Sequence, residues 1–285
     1  MLLGYCSGAQ AALSPHQVSS NPITGNYALE PHEFAGLGNG NTLTIDSTAN
    51  VNLQGYFLAG GVPSGSSANS NVINTSGTAW STGDNSSYGL VGGFFLGGAL
   101  DAAEVSADEN IINVTGGSIS ISPTSSGGLA AGVVYIMSAD DENLLGSASG
   151  NKINISAGEI HTWVNGGFSY VKTGESSATS SASSNEVTVT GGTVSGEDRD
   201  YISGGMAYAL SGNTSGTSNA TAQNNRVVIS GGSVQLTNVY GSYAYAACQT
   251  GNASASNNTV ILGTGKYQCL WRFHRICGNK RYSQR

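Results

Sequence analysis

Apolar and polar residues alternate strictly along much of this chain, and glycine pairs interrupt the alternation. Val187 and Val189 precede Gly191-Gly192 and are followed by Val194, and Val227, Ile229 and Val234 repeat the arrangement around Gly231-Gly232. A period of two places successive apolar side chains on one face of a strand. A glycine pair supplies the positive φ of a bend. The phrase therefore reads as strand, corner, strand. It recurs as Asn110-Ile-Ile-Asn-Val-Thr-Gly-Gly-Ser-Ile119, Asn151-Lys-Ile-Asn-Ile-Ser-Ala-Gly-Glu-Ile160, Asn185-Glu-Val-Thr-Val-Thr-Gly-Gly-Thr-Val194 and Asn225-Arg-Val-Val-Ile-Ser-Gly-Gly-Ser-Val234. Looser copies open at Asn41, Asn71 and Asn258. The seven anchors lie 30, 39, 41, 34, 40 and 33 residues apart, so one structural unit repeats along the chain.

A third, short strand is expected at the Gly-rich aromatic stretches Phe57 to Gly61, Val91 to Phe95, Val164 to Phe168, Tyr201 to Gly205 and Val239 to Gly241. Segments rich in Ser, Ala, Asn and Gly, such as 176–184 and 211–224, have the composition of loops. Strands of one sense joined by corners stack into an all-β fold, a parallel β-helix (β-solenoid) of about seven imperfect repeats. The recurring Asn suits a corner, because it tolerates the left-handed conformation and its amide can bond the equivalent Asn one coil away. Asn110, Asn151, Asn185 and Asn225 should hold equivalent corners. Ile112, Val114, Ile153, Ile155, Val187, Val189, Val227 and Ile229 should point inward in register. The unit length fits one coil with a protruding loop or two short coils. Such an array presents surface rather than enclosing one site.

The run of Asn-x-Val-x-Ile/Val-x-Gly-Gly-x-Val units followed by Tyr-Gly-Gly-like phrases, over residues 35–265, resembles the passenger region of bacterial autotransporters and related large surface adhesins. The resemblance implies secretion through the outer membrane and display on, or release from, the cell surface. It implies contact with host or neighbouring-cell glycans or matrix proteins. The family's C-terminal outer-membrane barrel, built of amphipathic strands of about ten residues, has no counterpart in this sequence.

Composition narrows the alternatives. Gly is 42 of 285 residues, charged residues are only 9%, and 39% are apolar, which does not describe a charge-driven disordered chain. The net charge of −7 hides an asymmetry: residues 1–265 carry 4 basic and 17 acidic side chains, or −13, while six of the ten basic residues lie in the last 20 positions. An acidic body repels nucleic acid and anionic membranes. No stretch reaches the roughly 18 apolar residues of a membrane helix. Cys6 and Cys248 alone precede the tail, too few for a disulfide framework. Cys269, His274 and Cys277 make an incomplete zinc set. Ala9-Gln10-Ala11 is compatible with the end of a leader or with a loop of small residues.

The four histidines, His16, His32, His161 and His274, are scattered outside any known metal or nucleophile motif. Gly36-Leu-Gly38-Asn-Gly40 reads as a turn. Three acidic clusters, Asp108-Glu109, Asp140-Asp141-Glu142 and Glu197-Asp198-Arg199-Asp200, are candidates for calcium or for acid and base work. A lyase acting on acidic sugar would need cations beside them. The body offers only Lys152, Lys172, Arg199 and Arg226. Convergence of Asp140, Asp141, Glu142, Asp198 and Asp200 on Lys172 or Arg199 would favour an enzyme. The Asn-x-Ser/Thr sequons, at Asn74, Asn113 and Asn154 among others, follow from composition, and the aromatic residues beside Gly-Gly suit internal stacking.

The expectation is a monomeric, exported, non-enzymatic β-solenoid, a fragment of a surface adhesin or autotransporter passenger, with residues 1–34 as a leader remnant or irregular segment. No catalytic, cofactor-binding or metal-binding residue is assigned, and no cofactor is expected. The alternatives are a carbohydrate-active β-helix enzyme and a structural surface-layer or matrix protein. Residues 266–285 read as an out-of-frame, disordered tail. Shifting the frame by one base permits Asn-Ile-Ser-Val-Tyr-Gly-Gly-Phe from position 266 onward and restores the repeat begun at Asn258.

Overall fold

The computed structural model describes residues 16–30, 32–53, 56–81, 89–97, 104–121, 127–138, 143–174, 176–197, 200–212, 216–247, 250–264, 266–271, 274–277 and 280–283; the side chains of 97, 237 and 266–283 are not described. The chain is a parallel β-solenoid with one coil per repeat and four strand-bearing faces.

The alternating apolar phrase makes the first two faces. Thr42–Ile45, Val72–Thr75, the start of Ile111–Ile121, the start of Lys152–His161, Glu186–Val189, Arg226–Ile229 and Thr259–Leu262 stack in parallel as the first face, seven strands deep. Ile112, Ile153, Val187 and Val227 fall in one register column, and Val114, Ile155, Val189 and Ile229 in the next. All eight are at most 1% exposed. After the glycine corner, the second face stacks Ile119, Ile160, Val194 and Val234 in the same manner. Gly117, Gly158, Gly192 and Gly232, the second members of their corner pairs, have φ of 70°, 93°, 76° and 75°.

The third face is longer than expected. Its strands include Gly128–Met137, Val164–Thr173, Tyr201–Ser211 and most of Ser233–Ala247. A fourth face was read as loop in the sequence. Glu104–Ser106, Leu144–Ser147, Ala178–Ser181, Thr217–Gln223 and Thr250–Ser256 form it as a separate five-stranded parallel sheet. Its inward residues are small, as in Ala178, Ser180 and Ala182 or Ser218, Ala220 and Ala222. The interior accordingly divides in two. Leu, Ile and Val of the first two faces and the start of the third fill one compartment. Mostly Ala and Val, from the end of the third face and the fourth, fill the other.

The repeated asparagine runs between these compartments. Asn71, Asn110, Asn151, Asn185 and Asn225 are fully buried. The backbone N–H groups of Asn41, Asn71, Asn110, Asn151, Asn185 and Asn225 each donate to Oδ1 of the next asparagine along the stack at 2.8–2.9 Å. Nδ2 of the first five donates to the same oxygen at 2.9–3.1 Å. Buried amides are tolerated because the ladder satisfies them. The left-handed residue is the one before the ladder Asn rather than the Asn itself: Ser70, Glu109, Ser184, Asn224 and Asn257 have φ of 56–59°. Two residues before the ladder Asn a second polar track runs. Asn39 Oδ1, Asn69 Oδ1, Asp108 Oδ1, Ser149 Oγ and Ser183 Oγ accept the backbone N–H of Asn69, Asp108, Ser149, Ser183 and Gln223, respectively.

The first coil draws on residues 16–30, where Ile23 bridges to Ile45 and Asn26–Ala28 pairs with Asn50–Asn52. At the other end, Lys266–Trp271 and His274–Cys277 pair with Ser233–Ala247, placing Tyr267 opposite Val234, and Lys280–Ser283 returns antiparallel. Cys6 and Cys248, and the side chains of Cys269, His274 and Cys277, lie outside the described set.

Candidate functional site

The asparagine ladder determines which side chains the third face turns outward. Its glycine pair receives the ladder side chains: a Cβ on Gly166, Gly204 or Gly241 would lie within 3.0 Å of the Cβ of Asn185, Asn225 or Asn258, and one on Gly167 would overlap the Asn185 amide and the Ala148 carbonyl. The inter-coil pairing skips the equivalent residues Ala131, Gly166, Gly204 and Gly241 without a change of register, so the strands bend together there in successive coils. Beyond the bend the alternation resumes with new phase. Ser169 and Val171 face the small-residue compartment, while Phe168 and Tyr170 face out.

The outward residues form three columns. Ala59, Val91, Ala130, Asn165, Ser203 and Tyr240 precede the bend. Phe94, Val133, Phe168, Met206 and Tyr243 follow it, and Leu96, Tyr135, Tyr170, Tyr208 and Tyr245 come two residues later. Phe95 fills the second compartment, whereas the aromatic residues of the outward columns pack on the outer side of the solenoid. Phe57 and Phe94 are 1% exposed with centroids 4.3 Å apart, whereas the later tyrosines are half-buried. Tyr135 stacks on Tyr170 at 4.7 Å and 10°, and Tyr208 lies 6.2 Å from Tyr170 and 6.1 Å from Tyr245. At the strand start Trp163 stacks on Tyr201 at 5.7 Å and 12°, and Tyr240 follows at 6.1 Å. Burial pushes the Tyr201 and Tyr208 hydroxyls well above the usual phenol range. A hydrogen bond from the Asn165 side chain opposes that rise at Tyr201.

Among the described candidate acids, Asp108 and Asp200 lie at separate places in the coil. Asp108 belongs to the second polar track, where it accepts from Ser149 N–H at 2.6 Å and Ser147 Oγ at 2.8 Å. Burial raises its pKa against those bonds. Asp200 sits at a different corner and accepts from Glu197 N–H at 2.8 Å; burial raises its pKa too. Asp140, Asp141, Glu142, Asp198 and Arg199 lie outside the described residues. Lys172 is exposed on the third face. Among the described residues no three His, Cys, Asp or Glu are placed to hold a metal ion.

One constellation was not legible as a motif. His161 Nδ1 lies 2.7 Å from Ser195 Oγ, and its Nε2 lies 3.6 Å from Glu159 Oε2, because His161 and Ser195 are register partners on neighbouring coils. Only register would reveal it, since 34 residues separate them. The trio lies on an exposed strand surface, and Ser195 has strand partners on both sides. Asn74, Asn113 and Asn154 form an outer amide ladder on the first face, each link 2.9 Å.

The fold and surface define a parallel β-solenoid with an aromatic outer face. The chain matches no family model, no curated protein and no solved structure. No helix among the described residues is long and apolar enough to cross a membrane.

Proposed function

We propose that this chain is an exported, non-enzymatic β-solenoid that works as part of a cell-surface adhesin or autotransporter passenger. The observation that carries the reading is the in-register stack itself. Seven coils share one ladder, and their side chains make long repeated surfaces, which supports a role in surface contact. A stack with every coil bonded to its neighbours needs no disulfide framework outside the cell. The repeat phrase resembles passenger-region repeats and supports surface display in the same direction. Host or neighbouring-cell glycans and matrix proteins are the partners such a surface would meet.

Beads coated with the purified chain test this reading against cultured host cells and against bacteria. Adhesion above that of beads coated with an unrelated acidic protein is the expected result. Equal retention on every surface, or turnover of neutral or acidic polysaccharides by the purified chain, would overturn it.

A further inference from the structure

We propose that residues 16–30 are an acid-closed cap on the N-terminal end of the stack, latched by the Glu33 carboxyl. The cap has little strand of its own. His16–Gln17 and Asn26–Ala28 supply two and three residues, and Ile23 a single bridge. It still covers the next coil closely. Asn21 imitates a strand residue: its Nδ2 donates to the Thr42 carbonyl at 2.6 Å, and its Oδ1 accepts Thr44 N–H at 3.0 Å. Asp46 and Asn50 donate their N–H groups to the carbonyls of Ile23 and Gly25 at 3.0 and 2.7 Å. Ile23 and Leu29, both buried, close the end of the larger core. The cap thereby covers the edge of Thr42–Ile45, which uncovered would be open to pairing with another chain.

Register shows what sets Glu33 apart. Its partner on the next coil is Leu58, and the same column continues through Leu90, Leu129, Val164, Ile202 and Val239. All six are at most 1% exposed. A carboxyl group thus ends a column of buried aliphatic side chains, itself 3% exposed, with Oε2 unpartnered among the described residues. The described titratable groups that act on it belong to the cap. The Tyr27 hydroxyl accepts Ser19 N–H at 3.2 Å and donates to Glu33, Glu30 supplies its N–H but also a repelling carboxylate, and His16 is the register partner across the strand pair. The neutral carboxyl suits this place, whereas the carboxylate is a buried charge with one oxygen unsatisfied. Burial accordingly raises the Glu33 pKa. A raised folded value stabilises the closed cap fully below the unfolded carboxylate value, and that stabilisation is lost as pH rises through the folded one. His32 works in reverse. It packs on Tyr56 and Phe57 at 5.3 and 4.6 Å, burial lowers its pKa, and it loosens the same region as pH falls.

The test is amide hydrogen exchange of the full chain from about pH 4 to about pH 8, corrected for the intrinsic rate. The reporters are Thr44, Asp46 and Asn50, whose N–H groups lie in the next coil but are held by the cap. Their protection should fall as pH rises, by up to about tenfold per pH unit, the limit for one proton. Thr190 and Ser230, whose N–H groups bond between later coils, should keep theirs. Glu33→Gln imitates the neutral carboxyl and should hold the cap closed over the whole range, while His16→Gln should leave the fall in place. Should Glu33→Gln not fold, the carboxyl carbon-13 signal of Glu33 in the unaltered chain reads the latch directly and should titrate above the range of free glutamate. Reporter protection that ignores pH, a fall that persists in folded Glu33→Gln, a fall abolished by His16→Gln, or a Glu33 signal that titrates in or below the free range would each overturn the latch.

Discussion

Asn185→Ala probes the feature on which the stack depends. In the folded chain Asn185 Oδ1 accepts the backbone N–H of Asn151 at 2.9 Å and Asn151 Nδ2 at 3.1 Å. Both residues are fully buried, so water cannot replace the lost acceptor. The backbone N–H of Asn185 still reaches Asn225 Oδ1, and that link survives. Two buried donors are therefore orphaned, at about 1–3 kcal/mol each, for a total of about 2–6 kcal/mol. That is a large part of the about 5–15 kcal/mol of a typical domain. Repeat arrays can open coil by coil, so a single global midpoint would understate the local effect. Hydrogen exchange should show the Asn151 amide losing protection first, together with its strand neighbours in the coils at 152–161 and 186–195. Urea unfolding should move to lower concentration. Asn258→Ala is the control: this asparagine is half-buried at the last described ladder position, where its Oδ1 accepts the backbone N–H of Asn225 and its Nδ2 donates to the Ala222 carbonyl, so with water at hand its effect should be about 1 kcal/mol. A loss below about 1 kcal/mol for Asn185→Ala, with the Asn151 amide still protected, would refute the ladder as a source of stability.

Three further outcomes are expected. Val189→Asp places an unpaired carboxylate in the larger core, between Ile155 and Ile229, and should abolish the cooperative unfolding transition of the adjacent coils by circular dichroism. Gly167→Ala forces a methyl into the Asn185 amide and the Ala148 carbonyl, and should lower stability by about 1–3 kcal/mol in urea melts, whereas Gly40→Ala meets open space and costs only its positive φ. Glu33 is 3% exposed with Oε2 unpartnered, and burial raises its pKa despite the Tyr27 hydroxyl. A raised folded pKa means that the stabilisation is fully present below the unfolded carboxylate value and is lost as pH rises through the folded one. Hydrogen exchange over residues 16–37 should quicken over that window in the unaltered chain, beyond the intrinsic rise, and show no such window in Glu33→Gln.

Several parts of this fold are legible because residue size and polarity change together. Val187, Val189 and Val194 alternate with polar neighbours, and the corner Gly-Gly marks the bend, so two faces and the stacking direction follow directly. The fourth face escapes because its alternation is between small residues. Ala178, Thr179, Ser180 and Ser181 carry almost no hydrophobic contrast, yet Ala178 and Ser180 point inward because the second compartment admits nothing larger. The aromatic residues mislead for a related reason. A second glycine pair falls inside what reads as one short strand, but the strand bends there to make room for the ladder asparagines, and the bend resets which side chains face out. The second polar track was visible as Asn39-x-Asn41, Asn69-x-Asn71, Asp108-x-Asn110, Ser149-x-Asn151 and Ser183-x-Asn185, a polar residue two before each ladder position. The His161–Ser195 contact required knowing the register across 34 residues. Coil number per repeat needed it as well, since a 30- to 41-residue unit is long enough for either arrangement.

One coil per repeat is the central structural claim, and a single distance tests it. Thr44, Asn74, Asn113, Asn154, Thr188 and Val228 occupy one outward register column, five coil steps from end to end. Nitroxide labels at Thr44→Cys and Val228→Cys, with the four native cysteines replaced by serine, should give a pulsed electron resonance distance of about 24 Å at about 4.8 Å per step. Two coils per repeat would double the separation to about 48 Å, and a distribution centred there, or one without a defined maximum, would contradict the fold.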